Sequence, residues 1–297
     1  MAVGYLMGKV PGFIFNPMKR LKTKSLKKMK LYMSVVMGVA QDVVDKQTAL
    51  YAHGKEGSKD LMSVLVRANL SENPETKLSN EEVISQLTTF FFAGHETTSS
   101  TLVWVLYELS RHPEYQTKVR DEIKATRARI TERGDGELTI SDLDSMQYLT
   151  ALMKETLRYH PVITLVRRQA NRDDCVPLDI PITLTTGEVV TSILIERGQE
   201  IQILKSTWGE DADEWRPERF VENLDLKQQT KLGVISNMML EMQSILIELV
   251  ENFEFSPPPG DIEILRVAVG FMAPILGDRV KGSKSGRIEL PLTVKPL

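Results

Sequence analysis

The chain has 297 residues, of which 42% are hydrophobic and 26% charged; that balance excludes a disordered, collagen-like or multi-span membrane chain. Its formal net charge of −3 gives bulk electrostatics no preference for nucleic acid. A single cysteine, Cys175, excludes an intramolecular disulfide and any zinc site built on several thiolates.

The small net charge hides an asymmetry. Residues 1–41 carry Lys9, Lys19, Arg20, Lys22, Lys24, Lys27, Lys28 and Lys30 and no acid, leaving 29 basic against 40 acidic side chains in the remainder. With Phe13, Ile14 and Phe15 nearby, this stretch suits either a solvated helix face or contact with an anionic membrane surface. No run reaches the ~18 apolar residues of a membrane-spanning helix. No small-residue cleavage site follows the charged start, so neither an anchor nor a signal peptide is expected.

In chain order, residues 17 to 52 place Leu21, Leu26, Met29, Met33, Val36 and Met37 at helical spacing. A polar break over 53–58 precedes a short helix at 59–69. Ser79 with Glu82 makes a capping box that opens a long helix to about Ser110. Pro113 starts a helix ending near Arg133, Ser141 is expected to cap a short turn, and a helix over 147–159 stops before Pro161. His112 and His160, each followed by a proline, read as helix-end cap or surface residues.

From 163 to 203 the pattern alternates and is punctuated by Pro177, Pro181 and Gly187, which predicts short strands. A last long helix is predicted over 236–251. Strand-like pieces at 252–256 and 287–294 then suggest a C-terminal hairpin region within 252–297. The fold class is mainly α with a small β region.

Three motifs stand out. Ala93-Gly94-His95-Glu96-Thr97-Thr98 puts a glycine costing ~1 kcal/mol inside the long helix. Glycine lets something approach the backbone, a threonine hydroxyl can bond back to the preceding turn, and an adjacent carboxylate can relay a proton. A zinc-protease reading of His95-Glu96 fails because its second histidine would fall at Ser99. Glu155 and Arg158, three apart, share a helix face. Trp215-Arg216-Pro217-Glu218-Arg219-Phe220 is a non-helical segment that frames Arg219 with aromatics, a setting for a stacked or bidentate guanidinium.

In this order the three motifs resemble the cytochrome P-450 family, the haem-thiolate monooxygenases, and most of all its fungal, microsomal-type members. The resemblance implies a partial cytochrome P-450 fold: one incomplete domain over 1–297, starting near the middle of the family fold. It implies haem, dioxygen, electrons from an NADPH-dependent reductase, a hydrophobic small-molecule substrate, and association with the endoplasmic reticulum membrane. Nucleic acid is not among the expected partners. By the same carry-over, Glu96 delivers protons, Thr97 steadies bound oxygen, Gly94 leaves room for it, and Arg168 holds a haem propionate. Glu155, Arg158 and Arg219 would form a buried ion cluster.

The departures concern the metal. The family's cysteine sits in a glycine-rich loop before the last long helix, where this chain reads Lys231-Leu232-Gly233-Val234-Ile235-Ser236-Asn237-Met238-Met239-Leu240-Glu241-Met242. Residues 201–208 also look shortened. Cys175 follows two aspartates, which oppose thiolate formation, so no metal ligand is assigned. Two readings follow: a haem-dependent oxidoreductase by lineage, inactive as written because the axial cysteine loop is absent, or a non-catalytic remnant or partner-binding fragment.

Overall fold

A computed structural model describes residues 24–54, 59–73, 75–134, 136–163, 166–203, 211–222, 236–260, 262–268, 271–277 and 288–297. The basic and aromatic positions between Lys9 and Lys22, the shortened stretch at 204–208, and residues 231–235 lie outside them. The chain divides into two compact units, Met1–Ser99 and Ser100–Leu297.

The first unit contains α1 (Lys24–Ala52), α2 (Leu61–Ser71) and the opening turns of α3 (Asn80–Arg111). Its core is Ala40, Val44, Val66, Val83, Ile84 and Leu87. Local chemistry sets the boundaries. Asp60 caps α2, accepting from the Ser63 N–H at 2.9 Å and from the Ser63 hydroxyl at 2.6 Å. Ahead of α3, the Ser79 N–H donates to Glu82 at 2.8 Å and the Glu82 N–H donates back to Ser79 Oγ at 3.3 Å, a reciprocal capping box.

The second unit takes the rest of α3 and adds α4 (Pro113–Arg133), α5 (Ile140–Ser145), α6 (Gln147–Tyr159), α7 (Arg219–Glu222) and α8 (Ser236–Asn252). In α6, Leu149, Leu152, Met153 and Thr156 are buried at the i, i+3, i+4, i+7 spacing of one helix face; in α8, Met239, Met242, Leu246 and Val250 line one face at i, i+3, i+7 and i+11. Gly134 ends α4 at φ 80°, a left-handed cap that a residue with a Cβ resists. Thr139, rather than Ser141, caps α5. Its hydroxyl pairs with the Asp142 N–H, and the Asp142 carboxylate is gripped at 2.9 and 3.0 Å by Arg133. Two hydroxyl residues compete for the cap, and the one three before that carboxylate wins.

Four two-stranded antiparallel pairings are present among the described residues. β1 (Val166–Gln169) pairs with β4 (Glu200–Ile203), setting Arg168 opposite Ile201. β2 (Asp174–Thr183) and β3 (Val189–Ile195) form a hairpin with Cys175 opposite Leu194. β5 (Phe253–Ser256) pairs with β8 (Thr293–Pro296), and β6 (Ile264–Ala268) with β7 (Met272–Leu276). The β5–β8 pair lies within the expected C-terminal region, but its second strand starts at Thr293 rather than running over 287–294. The β6–β7 hairpin between them has no counterpart in the sequence-based reading. Buried Gln116 anchors the region to α4, donating to Phe255 O at 2.7 Å and accepting from the Phe255 N–H at 3.0 Å.

Candidate functional site

The polar centre of the second unit is built on α6. Its amphipathic repeat buries one face, and Glu155 and Arg158 lie on that face rather than in solvent, at 0% and 6% exposure. Arg158 grips Glu155 in a fork: Nε donates to Oε2 at 2.7 Å and Nη2 to Oε1 at 2.8 Å. Two further donors reach Ala212 O and Glu214 O, each at 2.7 Å. The Arg216 N–H donates to Glu155 Oε1 at 2.7 Å. Arg219 Nε lies 3.6 Å from Glu155 Oε2, an ion pair too long for a hydrogen bond.

The hydrogen bonds of Arg219 go to Asp211: Nη1 donates to Oδ1 at 2.7 Å and Nη2 to the carbonyl at 3.0 Å. Asp211 is therefore a fourth member that the three motifs do not reveal. Burial works against the Arg219 charge, but Asp211 and Glu155 outweigh it and raise its pKa; Arg219 in turn lowers that of Asp211. The cluster is thus a device that folds residues 211–222 back onto α6.

A second clasp holds the same segment from α4. Glu218 accepts from the Tyr115 hydroxyl and, at 2.6 Å, from Lys118 Nζ. The Lys118 ammonium also lies 4.7 Å from the Tyr115 ring centroid. Burial opposes ionisation of Glu218, yet these two donors hold its pKa below the usual carboxylate value. Burial and Glu218 push the Tyr115 phenol up. Trp215 fills the space between, stacked on His112 and edge-on to Tyr115, with its indole N–H donating to Thr156 Oγ1 at 3.2 Å.

Carboxylates with lowered native pKa values contribute stability that is present above their unfolded values, near ~4, and is lost as pH falls through the native ones. Asp211 and Glu218 both meet that condition. The urea midpoint of the protein should therefore fall between about pH 5 and pH 2, and Asp211→Asn or Glu218→Gln should flatten the fall. Parallel curves for variant and parent would count against the clasp.

Gly94, Glu96 and Thr97 lie on α3 in the first unit. A Cβ built at Gly94 would meet nothing within 4 Å, so the packing of this chain does not require glycine there. The Thr97 hydroxyl donates to Ala93 O at 2.7 Å, the back-bond expected of a helical threonine, and Glu96 is half-buried. Arg168 belongs to the second unit, exposed on β1, with Nη1 donating to the carbonyl of Arg167. The structure gathers Glu155, Arg158 and Arg219 into one site. Gly94, Glu96 and Thr97 share a helix, and Arg168 stands apart from the cluster.

Two helix-end histidines are both caps, as expected, and one of them is not at the surface. His160 caps α6, as expected, but is 1% exposed and pairs with Glu108, so it is not a surface residue. His112 packs on Trp215.

The family model described as cytochrome P-450 matches residues 7–231. The chain belongs to the cytochrome P-450 family. It is 34% identical to cytochrome P-450 monooxygenase 205 of Postia placenta over 264 residues, covering 80% of this chain and 46% of that protein. It is equally identical to ganoderic acid synthetase of Ganoderma lucidum, covering 72% of this chain and 44% of that one. Similarity to Postia placenta cytochrome P-450 monooxygenase 91 takes in 93% of this chain at 31% identity. A crystal structure of a cytochrome P-450 superposes with a TM-score of 0.64 at 19% identity, covering 93% of this chain and 58% of that one, which shows the shared fold. The chain spans about half the length of the curated relatives it matches.

The match to monooxygenase 91 extends over 309 aligned positions, more than the 297 residues of this chain. That relative therefore carries residues inside the matched span that have no counterpart here.

The family implies haem, and a thiolate is its iron ligand in cytochromes P-450. The donor set here does not fit that role. Cys175 is exposed on β2, its own N–H donates to Asp174 Oδ1 at 2.9 Å, and the neighbouring Arg172 pairs with that same aspartate. Residues 236–242, where the glycine-rich loop is expected, are the opening turns of α8, with Met239 and Met242 buried in the core. Among the described residues no group of three or more His, Cys, Asp or Glu side chains is placed to hold a metal ion. No helix there is long and apolar enough to cross a membrane.

Proposed function

We propose that this chain descends from a haem-dependent monooxygenase of hydrophobic small molecules and is itself catalytically silent. The observation that carries the reading is the placement of its one cysteine. Cys175 is exposed on a strand of the β2–β3 hairpin, not in a glycine-rich loop before the last long helix, where the family places its iron-binding cysteine. The lineage accounts for Gly94, Glu96, Thr97 and Arg168 as inherited positions of an oxygen groove and a propionate contact. The lineage likewise accounts for the Glu155–Arg158–Arg219 ion cluster, to which this chain adds Asp211.

The experiment is a carbon-monoxide difference spectrum of the purified chain supplied with haem and reduced. The expected result is no thiolate-type Soret band. A stoichiometric thiolate band would overturn the proposal and restore the oxidoreductase reading, with reductase and dioxygen as partners. Translating the genomic interval between the codons for Asn237 and Met238 provides a second test. A glycine-rich segment with a cysteine there would make the silent chain a splicing product rather than a finished form.

A second reading is favoured by one surface. Lys24, Lys27, Lys28 and Lys30 at the start of α1 are exposed, and so are Leu31 and Val35 on the following turns. Basic side chains beside exposed apolar ones suit the surface of an anionic bilayer, each cation contributing ~1 kcal/mol near the headgroups. The chain should float with phosphatidylserine vesicles at low salt. Lys24→Gln, Lys27→Gln and Lys28→Gln combined should abolish flotation. Binding that survives these changes or ignores salt would remove this role.

A further inference from the structure

Glu108 on α3 and His160 at the end of α6 face each other in the interior of the second unit, both 1% exposed. His160 Nε2 and Glu108 Oε1 are 2.6 Å apart. The remaining polar atom of each group, His160 Nδ1 and Glu108 Oε2, is buried without a hydrogen-bond partner. Leaving such atoms unpaired is costly, and native interiors rarely do so without a reason.

The pair sits at a junction. The His160 ring stacks on Trp104 with centroids 4.0 Å apart and planes within 9°. Trp104 Nε1 donates to Met272 O at 2.9 Å, and the Ser100 hydroxyl donates to the same carbonyl at 3.2 Å. The Met272 N–H donates to Val162 O at 3.1 Å. Glu108 and His160 therefore tie α3 to the turn after α6, and through Trp104 to the first residue of β7.

We propose that Glu108 and His160 form a pH-responsive latch, which holds α3, the 160–162 turn and the β6–β7 hairpin together while the imidazole is neutral and loosens them when it gains a second proton. With one proton on the ring, Nε2–H donates to the carboxylate and Nδ1 is an unpaired acceptor. A second proton turns Nδ1 into a buried N–H donor with nothing to receive it, on a ring that now carries charge. Glu108 favours that charge. Burial opposes it, as do Arg111 on α3, with Nη1 4.0 Å from Glu108 Oε2, and Arg266 on β6, whose guanidinium lies over the Tyr159 ring. His112 on α3 approaches Glu108 Oε2 at 3.7 Å and competes for the same carboxylate. Tyr107 and Tyr159 meet the imidazole edge-on. The net effect lowers the His160 pKa, with burial the largest cause.

The sign follows. The unfolded chain takes up a proton near ~6.5, and the native state does so only at lower pH, so stability is present above that range and is lost as pH falls through it. The local readout is hydrogen exchange at the His160 and Met272 amides, compared at about pH 7.5 and about pH 5.5 and corrected for the intrinsic pH dependence of exchange. The expected result is a selective loss of protection at these two amides at the lower pH, with the Leu246 region of α8 unchanged. His160→Phe keeps an aromatic ring on Trp104 but removes the titrating nitrogen, so it should make protection at Met272 independent of pH. Equal loss at Leu246 in the parent protein, or a Phe variant with the parent's pH dependence, would overturn the latch. The parent measurement decides the matter alone if the variant does not fold.

Discussion

Glu155→Ala should lower the stability of the second unit by ~3–5 kcal/mol, measured as the shift in urea midpoint followed by tryptophan fluorescence. The size comes from what the change leaves behind. Arg158 would keep its bonds to Ala212 O and Glu214 O but lose both contacts to a carboxylate, while remaining at 6% exposure. The Arg216 N–H would lose its acceptor, and Arg219 would depend on Asp211 alone. A buried guanidinium without its counter-ion is far more costly than the pair was ever stabilising. Replacing Glu155, Arg158 and Arg219 together with methionine should therefore destabilise less than the sum of the three single changes, because the one charge left behind, Asp211, is partly exposed and keeps its ion pair with Arg216 at 3.1 Å. Glu155→Gln keeps an oxygen for the Arg216 N–H and should fall between parent and Ala. An Ala variant within ~1 kcal/mol of the parent would show that the cluster is solvated and the fork is not a structural element.

Part of this architecture was legible because it is local. A capping box needs only Ser79 and Glu82, and the buried face of α6 needs only its own periodicity, so both can be read from a dozen residues. The Glu155–Arg158 pair is visible for the same reason, being three residues apart on one helix. Its burial is not visible, since an exposed helix can carry the same spacing. Asp211 and Glu218 could not be read as clamps because their partners, Arg219, Tyr115 and Lys118, are united by the course of the chain between α6 and α7 and by the approach of α4. No local spacing encodes that approach. His160 shows the same limit: a histidine before a proline at a helix end has the local signature of a surface cap. What buries it is Glu108 and Trp104, more than fifty residues earlier. The β6–β7 hairpin was missed because its five-residue strands mix apolar residues with Arg266 and Pro274, leaving no clean alternation.

Trp104→Ala should rival the loss of Glu155, at ~3–5 kcal/mol, because it removes a large buried side chain and the partner of three separate contacts. The indole is 1% exposed and among the largest fully buried side chains of the described residues. It stacks on His160, meets Tyr107 edge-on at 5.5 Å, and donates to Met272 O. Trp104→Phe separates these terms. It keeps most of the stacked area and loses the indole N–H, but Met272 O retains the Ser100 hydroxyl as donor, so that carbonyl is not orphaned. The Phe variant should therefore cost only ~1–2 kcal/mol. Removing Ser100 and the indole N–H together, as Ser100→Ala with Trp104→Phe, should cost more than the two changes made separately, because only then is the buried carbonyl left unpaired. Strict additivity in that cycle would mean that water replaces the lost donors, and that α3 is held to β7 by packing alone.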